Sequence, residues 1–219
     1  MPLAIERRKP TCNRSPEGIR LSRHLSASLV NAAVPTTFPA TWLRSVGIVL
    51  AGSTLVAVCA HVALPLYFTP VPLTLQPFAV LLLGLLLSPR LAAGTLAAYL
   101  AEGALGLPVF APSPLAFGGM AHLFGPTGGY LLAYPLACAL ISLLWRRSNR
   151  TFTAAALSAA AGNLAILIFG TLWLAVLTHA SVQSLLTISV LPFLPGDALK
   201  IAAAAAIAAG RERLRRRSV

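Results

Sequence analysis

The fold is decided by an uninterrupted apolar stretch at residues 152–177, which reads FTAAALSAAAGNLAILIFGTLWLAVL and holds no charged side chain. An α-helix rises about 1.5 Å per residue, so a stretch of this length spans the hydrocarbon core of a bilayer, which is about 30 Å thick. A helix on the surface of a soluble protein has a charged or polar face, which this stretch lacks. It therefore predicts a transmembrane helix.

The composition of the whole chain also indicates a membrane protein. Of 219 residues, 57% are hydrophobic and 10% are charged, and the mean hydropathy is +0.80. A typical soluble domain is about 45–50% apolar and about 25% charged. These values exclude an ordinary soluble enzyme, a disordered chain and a disulfide-stabilised scaffold. The fold class that remains is an all-α membrane protein.

Further apolar runs give the number of spans. We predict six transmembrane helices, at 43–64, 75–88, 90–107, 128–145, 152–177 and 197–210. A span needs about 20 residues. The helices at 75–88 and 197–210 are shorter and are expected to begin in protein-lined structure. Six spans put both termini on the same side of the membrane.

The formal net charge of +12 is explained by where the basic residues fall. In a soluble protein such a charge would indicate a nucleic-acid partner. Here Lys and Arg are absent from the predicted outer loops at 65–74, 108–127 and 178–196, and they cluster near the two termini and at 146–150. Because basic residues accumulate in cytoplasmic segments, we expect both termini in the cytoplasm and no nucleic-acid partner.

The same division predicts three segments. Residues 1–42 form a basic N-terminal extension that is expected to be disordered. Residues 43–210 form the six-helix transmembrane domain, and residues 211–219 form a basic cytoplasmic tail. The extension is either a nonessential addition or the result of a misassigned start codon, or it is a transit peptide, against which Glu6 and Glu17 argue.

Cysteine and histidine spacing does not indicate a metal site. We expect the cysteines to be small buried apolar residues and three of the histidines to lie at the outer membrane interface. These residues are Cys12, Cys59, Cys138, His61, His122 and His179.

Once the basic residues at the predicted cytoplasmic ends are set aside, three charged residues remain inside the predicted membrane region, namely Glu102, Asp197 and Lys200. A charge at the bilayer centre costs at least about 2.5 kcal/mol, so such residues usually face the protein interior. Asp197 and Lys200 share a helix face. The preceding Pro195 and Gly196 predict that the helix begins there, with Asp197 at or near its N-cap. A helix that begins below the outer surface and carries a lysine suits an anionic ligand, and the alternative is a purely structural ion pair.

Glu102 allows two interpretations from its place near the outer end of the helix predicted at 90–107. Its carboxylate either hydrogen-bonds a ligand or pairs with Lys200. Alternatively, it reaches water at the interface beside the following loop. Both remain open from the sequence.

The uncharged outer loop at 108–127 is rich in glycine and proline. Glycine allows close approach of the backbone, and Phe117 and Tyr130 offer rings on which a flat ligand can stack. Together with the segment 70–76, which ends at Gln76, the loop is expected to fold as a lid over a membrane cavity. The alternative is an ordinary surface loop.

The membrane part of the chain resembles the BioY family, the biotin-binding S components of energy-coupling-factor (ECF) transporters. The resemblance covers residues 50–210 and is carried by four segments in order: PVPLTLQ at 70–76, GALGLPVFA at 103–111, FGPTGGY at 124–130 and FLPGDALK at 193–200. It implies the six-helix S-component fold, with a biotin pocket near the outer face.

The resemblance also implies roles for residues. Lys200 would meet the carboxylate of biotin, and Asp197 would orient Lys200 or accept a hydrogen bond from a ureido N–H. Biotin is then the transported substrate, and no cofactor is implied. The residues expected to bind biotin are Lys200, Asp197, Gln76, Glu102, Phe117, Gly119 and Tyr130.

The partners that the resemblance implies are a transmembrane coupling protein and two ABC-type ATPases. S components dock on the coupling protein through an Ala-x-x-x-Ala pattern on the first helix, for which Ser53 and Ala57 are the nearest equivalents here. The chain has no G-x-x-x-x-G-K-[ST] phosphate loop. We therefore expect a transport subunit of the bacterial plasma membrane that lacks its own ATPase and is not an enzyme.

Two other functions were weighed against this one. The Asp197–Lys200 pair alone also fits an S component or a secondary carrier for another small anionic vitamin. An intramembrane enzyme is disfavoured because the chain has neither a His-Glu-x-x-His nor a Gly-x-Ser-x-Gly motif.

Overall fold

The computed structural model describes residues 40–112 and 118–218. Within these ranges the chain forms eight helices and one two-stranded hairpin. The elements are α1 (Ala40–His61), β1 (Ala63–Leu64), β2 (Leu73–Thr74), α2 (Gln76–Leu86), α3 (Pro89–Ala104), α4 (Met120–Leu123), α5 (Gly128–Arg147), α6 (Phe152–Thr178), α7 (Val182–Ser189) and α8 (Leu194–Arg217). The predicted extension at 1–42 lies outside the described residues, apart from its last three, which begin α1.

Three of the described helices are long and apolar enough to cross a membrane: α1 from Trp42 onward, α5 and α6. The number becomes four if α7 and α8, which are bent by 49° relative to each other, count as one span. The sequence predicts six spans. The difference arises because α2 has 11 residues and α3 has 16, both fewer than a straight span needs.

The last helix begins earlier and ends later than predicted. It runs from Leu194 to Arg217 instead of from 197 to 210, so most of the predicted basic tail is helical. Pro195 occupies the first turn, where its missing N–H and fixed φ are tolerated. Three arginines lie in the last turn, where their positive charges interact favourably with the negative end of the helix dipole.

The predicted loop at 178–196 contains the short helix α7. Ser181 provides its N-cap, because the hydroxyl accepts a hydrogen bond from the backbone N–H of Ser184. This helix was not predicted, although a serine before an apolar run is a capping signal.

Helices α5 and α6 approach each other closely at glycines. A Cβ atom on Gly162 would collide with the side chain of Ile141, and one on Gly129 would collide with that of Trp173. Small residues at such positions let two backbones pack tightly. This contact fixes the rotation of α6, and with it the direction of the polar side chains of that helix.

The buried residues form two clusters along the bundle. One contains Tyr99, Tyr130 and Phe193, and the other contains Trp145 and Ala208. The first cluster contains residues at the start of α5 and the N-cap residue of α8, and the second contains residues from later turns of both helices, so the two helices begin at the same end of the bundle.

The β1–β2 hairpin brings the segment that ends at Gln76 back onto the bundle. Its register pairs Ala63 with Thr74 and Leu64 with Leu73, and the Leu75 N–H donates to the Val62 carbonyl at 3.0 Å. The hairpin therefore delivers the start of α2 to the same end as the start of α8.

Candidate binding site

A cavity lies where the starts of α2, α5 and α8 meet the middle of α6. The space inside it, counted with the part that opens to solvent, is about 640 Å³. Its lining residues are Val71, Pro72, Thr74, Gln76, Pro77, Ala111, His122, Thr127, Tyr130, Leu131, Tyr134, Asn163, Ile166, Leu167, Phe193, Asp197 and Lys200.

Lys200 and Asp197 form a buried ion pair in this cavity. The Lys200 Nζ atom lies 3.1 Å from Asp197 Oδ1, and the two side chains are 9% and 6% exposed. An ammonium has three N–H donors, and Asp197 is the one hydrogen-bond partner of Lys200 within the described ranges. The remaining donors are available to an anion. This arrangement agrees with the prediction that the two residues share a helix face.

Asn163 completes the surroundings of the Asp197 carboxylate. Its Nδ2 atom donates to Asp197 Oδ2 at 2.9 Å, so each carboxylate oxygen has a protein donor. Asp197, predicted at or near the N-cap, lies in the first turn of α8, and Phe193 is the N-cap residue itself. Sequence reasoning did not single out Asn163. A signal was available, since it is the one amide side chain within the apolar stretch 152–177.

Gln76 lies in the cavity, as predicted, and is 3% exposed. Its Nε2 atom donates to the Tyr99 hydroxyl at 2.9 Å, and that hydroxyl donates to the Val109 carbonyl at 2.9 Å. The chain of hydrogen bonds joins α2, α3 and the loop after α3. It fixes the amide of Gln76 at the cavity wall.

Aromatic side chains form much of the remaining wall. Tyr130 was predicted, and it lines the cavity while its hydroxyl donates to the Ser189 carbonyl at 3.1 Å. Tyr134 and Phe193 also line it, and the sequence analysis did not identify them. Rings of this kind provide large apolar contacts to a flat ligand.

Thr127 carries an unsatisfied hydroxyl in the cavity wall. Its Oγ1 atom is buried and has no hydrogen-bond partner among the described residues. Leaving such a group unpaired costs about 1–3 kcal/mol. A polar atom of a ligand would satisfy it, so Thr127 belongs with the candidate binding residues. It lies within the FGPTGGY segment quoted above.

His122, which was predicted to lie at the outer membrane interface, is buried in the cavity wall. It is 5% exposed, lines the cavity and lies 4.9 Å from the ring of Phe110, centroid to centroid. Burial lowers the pKa of the His122 imidazole below its ordinary value. The side chain is therefore neutral at neutral pH.

Glu102 does not line the cavity, and its predicted pairing with Lys200 is wrong. Its Oε1 atom accepts a hydrogen bond from Ser53 Oγ at 2.9 Å, while Lys200 pairs with Asp197. The reason is that α1 supplies a hydroxyl donor within reach of Glu102. Ser53, predicted as a docking residue, is 1% exposed and is therefore interior, whereas Ala57 packs partly buried against the core.

Of the two remaining predicted residues, one lies outside the cavity lining and the other lies outside the described residues. Gly119 lies just before α4 with φ of 73°, outside the lining. Phe117 lies outside the described residues. Among the predicted apolar cysteines, Cys59 and Cys138 are free and buried, and Cys12 falls outside the described ranges. Within those ranges there is no group of three or more His, Cys, Asp or Glu that could hold a metal ion.

A sequence model of the BioY family matches residues 27–217. The chain belongs to the BioY family. This confirms the resemblance that the four segments indicate, and it extends the match toward the N-terminus beyond residue 50.

Relatives in the BioY family are named as biotin transporters. The "Probable biotin transporter BioY" of Pyrococcus horikoshii is 42% identical over 139 residues, which are 64% of this chain and 79% of the relative. "Biotin transporter BioY2" of Lactococcus lactis is 34% identical over 73% of this chain and 85% of its own length. The "Biotin transporter BioY" of Thermotoga maritima is 36% identical over 70% and 87%, respectively. These relatives are transporters, in agreement with the expectation of a transport subunit instead of an enzyme.

The fold of this BioY family member matches a solved structure. The crystal structure of the S-component for biotin from an ECF-type ABC transporter superposes with a TM-score of 0.71. The match covers 83% of this chain and 95% of the other at 24% identity. The predicted all-α membrane protein with an S-component fold is therefore confirmed at the level of the fold.

Proposed function

We propose that this chain is a biotin-binding S component, which captures biotin outside the cell and delivers it inward together with an ATP-driven ECF module. The observation that carries the proposal is the buried Lys200–Asp197 pair in the wall of a cavity lined by polar and aromatic side chains. Membership of a family whose relatives are named biotin transporters supports it.

Lys200 binds the carboxylate of biotin in this proposal. Biotin is a monoanion at neutral pH, and its valerate carboxylate can accept hydrogen bonds from the free donors of the ammonium. Asp197 holds the ammonium in place and is itself held by Asn163. Asp197, itself held by Asn163, therefore orients the Lys200 ammonium before the ligand arrives.

The ureido ring of biotin has two N–H donors and one carbonyl acceptor. The Thr127 hydroxyl and the Gln76 amide are polar groups in the cavity wall that can serve this ring. Asp197 remains an alternative acceptor, because each carboxylate oxygen has more than one lone pair. The apolar thiophane ring then packs against Tyr130, Tyr134 and the neighbouring aliphatic wall.

The proposal includes the topology predicted from charge. The chain crosses the bilayer six times, with α2 and α3 as short or tilted spans and both termini in the cytoplasm of a bacterial cell. The absence of Lys and Arg from 65–74, 108–127 and 178–196 supports this orientation. The outer segments near 70–76 and 108–127 then cover the ligand as a lid.

The proposed partners are an ECF transmembrane coupling protein and ABC-type ATPase subunits. The chain lacks a phosphate-binding loop of the P-loop type, so ATP hydrolysis falls to those subunits. Ala57 on α1 remains a candidate docking residue, while Ser53 would first have to leave Glu102.

A titration separates the role of Lys200 from general effects on folding. The full chain is purified in detergent and titrated calorimetrically with biotin and with biotin amide, which lacks the carboxylate charge. Wild type should prefer biotin. Lys200→Ala should bind biotin about 30-fold or more weakly, because a buried charge pair loses one partner. The variant should no longer discriminate between biotin and its amide. Equal affinity of wild type for both ligands would remove Lys200 from carboxylate binding.

The second candidate is an S component or secondary carrier for another small anionic vitamin. The Lys200–Asp197 pair favours it equally, since any carboxylate can meet the ammonium. Uptake of radiolabelled biotin in the presence of competing vitamins distinguishes the two. Competition by desthiobiotin, which keeps the ureido ring and the carboxylate, supports the first proposal. A lack of biotin uptake, with binding of a different anion, supports the second.

A further inference from the structure

We propose that a groove at the basic end of the bundle binds the phosphate group of an anionic lipid headgroup. The groove lies between the last turns of α5 and α8 and the end of α2. It is separate from the ligand cavity, because Lys200 and Arg211 are about 16 Å apart along α8 at the rise of a helix. Four arginines and one glutamate line it, namely Arg146, Arg150, Arg211, Arg215 and Glu212.

The charges in the groove are not balanced by the protein. Glu212 already pairs with Arg150, at 3.7 Å, and with Arg216, at 3.7 Å. Among the described residues, the guanidinium groups of Arg146, Arg211 and Arg215 have no acidic partner. Three uncompensated guanidinium groups on one concave surface form a site for an anion with several acceptor oxygens.

Side-chain contacts hold together the two segments that carry the arginines of the groove. The Arg150 guanidinium lies over the Trp145 ring, 5.2 Å from its centroid. The Arg216 Nη2 atom donates to the Asn149 carbonyl at 3.3 Å. These contacts join the α5–α6 loop to the last turns of α8, so the arginines of both segments are presented together.

The position and floor of the groove favour a lipid over an acidic protein segment. Helix α5 is long and apolar enough to span the membrane and ends at Arg147, which places the groove at the level of the headgroups. Its floor is formed by buried Leu85, Trp145 and Ala208. Basic pockets between transmembrane helices are established binding sites for anionic headgroups.

The test compares two variants with equal charge. The groove variant is Arg146→Gln/Arg211→Gln/Arg215→Gln. The control is Arg147→Gln/Arg213→Gln/Arg217→Gln, which removes three arginines of the same end that do not line the groove. Full-length protein in detergent is titrated with phosphatidylglycerol, phosphatidylcholine, inorganic phosphate and polyglutamate in turn, and the bound ligand is counted by native mass spectrometry. Biotin titration of both variants checks that they are folded.

The expected result is a preference of wild type for phosphatidylglycerol over phosphatidylcholine. Affinity for phosphatidylglycerol should fall by about a hundredfold in the groove variant, at about a factor of five for each arginine, and by less than tenfold in the control. Equal losses in the two variants would overturn the proposal. So would groove-dependent binding of inorganic phosphate or of polyglutamate without binding of the lipid, which would assign the groove to the free ion or to an acidic protein.

Discussion

Thr127 links stability to ligand binding at the scale of a single residue. Its buried hydroxyl has no partner in the described part of the chain, so the empty protein carries an unsatisfied group that a ligand can pair. Removing an unpaired buried hydroxyl is neutral or stabilising, whereas removing one that pairs with a ligand weakens binding.

We therefore expect Thr127→Val to leave the melting temperature of the empty protein unchanged or slightly higher. Affinity for biotin should fall by about three- to tenfold, the usual contribution of one hydrogen bond. Thr127→Ser, which keeps the hydroxyl, is the control. Thermal unfolding and calorimetry on both variants check this, and a Val variant that binds like wild type would exclude Thr127 from the site.

His122 predicts a dependence of stability on pH. Burial lowers the pKa of His122 in the folded protein below its unfolded value of about 6.5. The folded state therefore binds fewer protons than the unfolded state as the pH falls below that value. Stability from this residue is fully present above about pH 6.5 and is lost as the pH falls through the lower folded pKa.

The melting temperature of wild type should thus fall as the pH drops below about 6.5, and His122→Gln should reduce the fall. His179→Asn is a matched control, because His179 is exposed at the end of α6 and has φ of 51°, which Asn tolerates. An unchanged pH profile in His122→Gln would show that other groups cause the effect.

At the scale of the helix, the close contact of α5 and α6 depends on Gly162. A methyl group there would collide with Ile141, while a methyl group on Gly94 in α3 would meet no atom within 4 Å. Alanine favours a helix over glycine by about 1 kcal/mol. The two glycines therefore predict opposite effects of the same substitution.

Gly162→Ala should lower the melting temperature, because overpacking of a core costs about 1–3 kcal/mol and outweighs the gain in helix propensity. Gly94→Ala should raise it slightly or leave it unchanged. Thermal unfolding monitored by size-exclusion chromatography in detergent measures both. A Gly162→Ala protein as stable as Gly94→Ala would mean that α5 can move away without cost.

Sequence patterns predicted the bounds of some helices better than those of others. Long apolar runs predicted the bounds of α5 and α6 within two residues, since length and the lack of charge are local properties. The bounds of α8 were wrong at both ends because its start was placed at Asp197, and Gly210 was taken as its end. The helix extends beyond both residues, because α8 packs against the rest of the bundle and this packing outweighs the local signal of one aspartate or one glycine.

At the scale of the whole molecule, the orientation of the chain in the membrane is predicted from the distribution of Lys and Arg alone. A test uses single cysteines in a variant without Cys12, Cys59 and Cys138. Gln183→Cys, in the outer region, should react with a membrane-impermeant maleimide in intact cells. Asn149→Cys, in the basic α5–α6 loop, should react only after permeabilisation. The reverse pattern would invert the topology.

Only part of the candidate site could be predicted, because some of its residues are marked by their polarity and others depend on how the helices pack. Asp197, Lys200 and Gln76 were found because charged and amide groups are rare in an apolar chain and are costly to bury without a role. Asn163, Thr127 and the aromatic wall depend on how helices are rotated against each other, which packing decides. Glu102 was misplaced for the same reason, since its partner Ser53 lies 49 residues away.

The pairing of Lys200 with Asp197 has a consequence for the energetics of uptake. The ion pair is electrically neutral, so a bound biotin carboxylate leaves the loaded site with one net negative charge. A bacterial membrane potential is negative inside, and moving one such charge inward across it costs about 2.3 kcal/mol per 100 mV. Under the proposed function, the potential opposes delivery of the vitamin and does no work on the return of the empty, neutral site, so the electrical cost of inward transport falls on work done by another subunit.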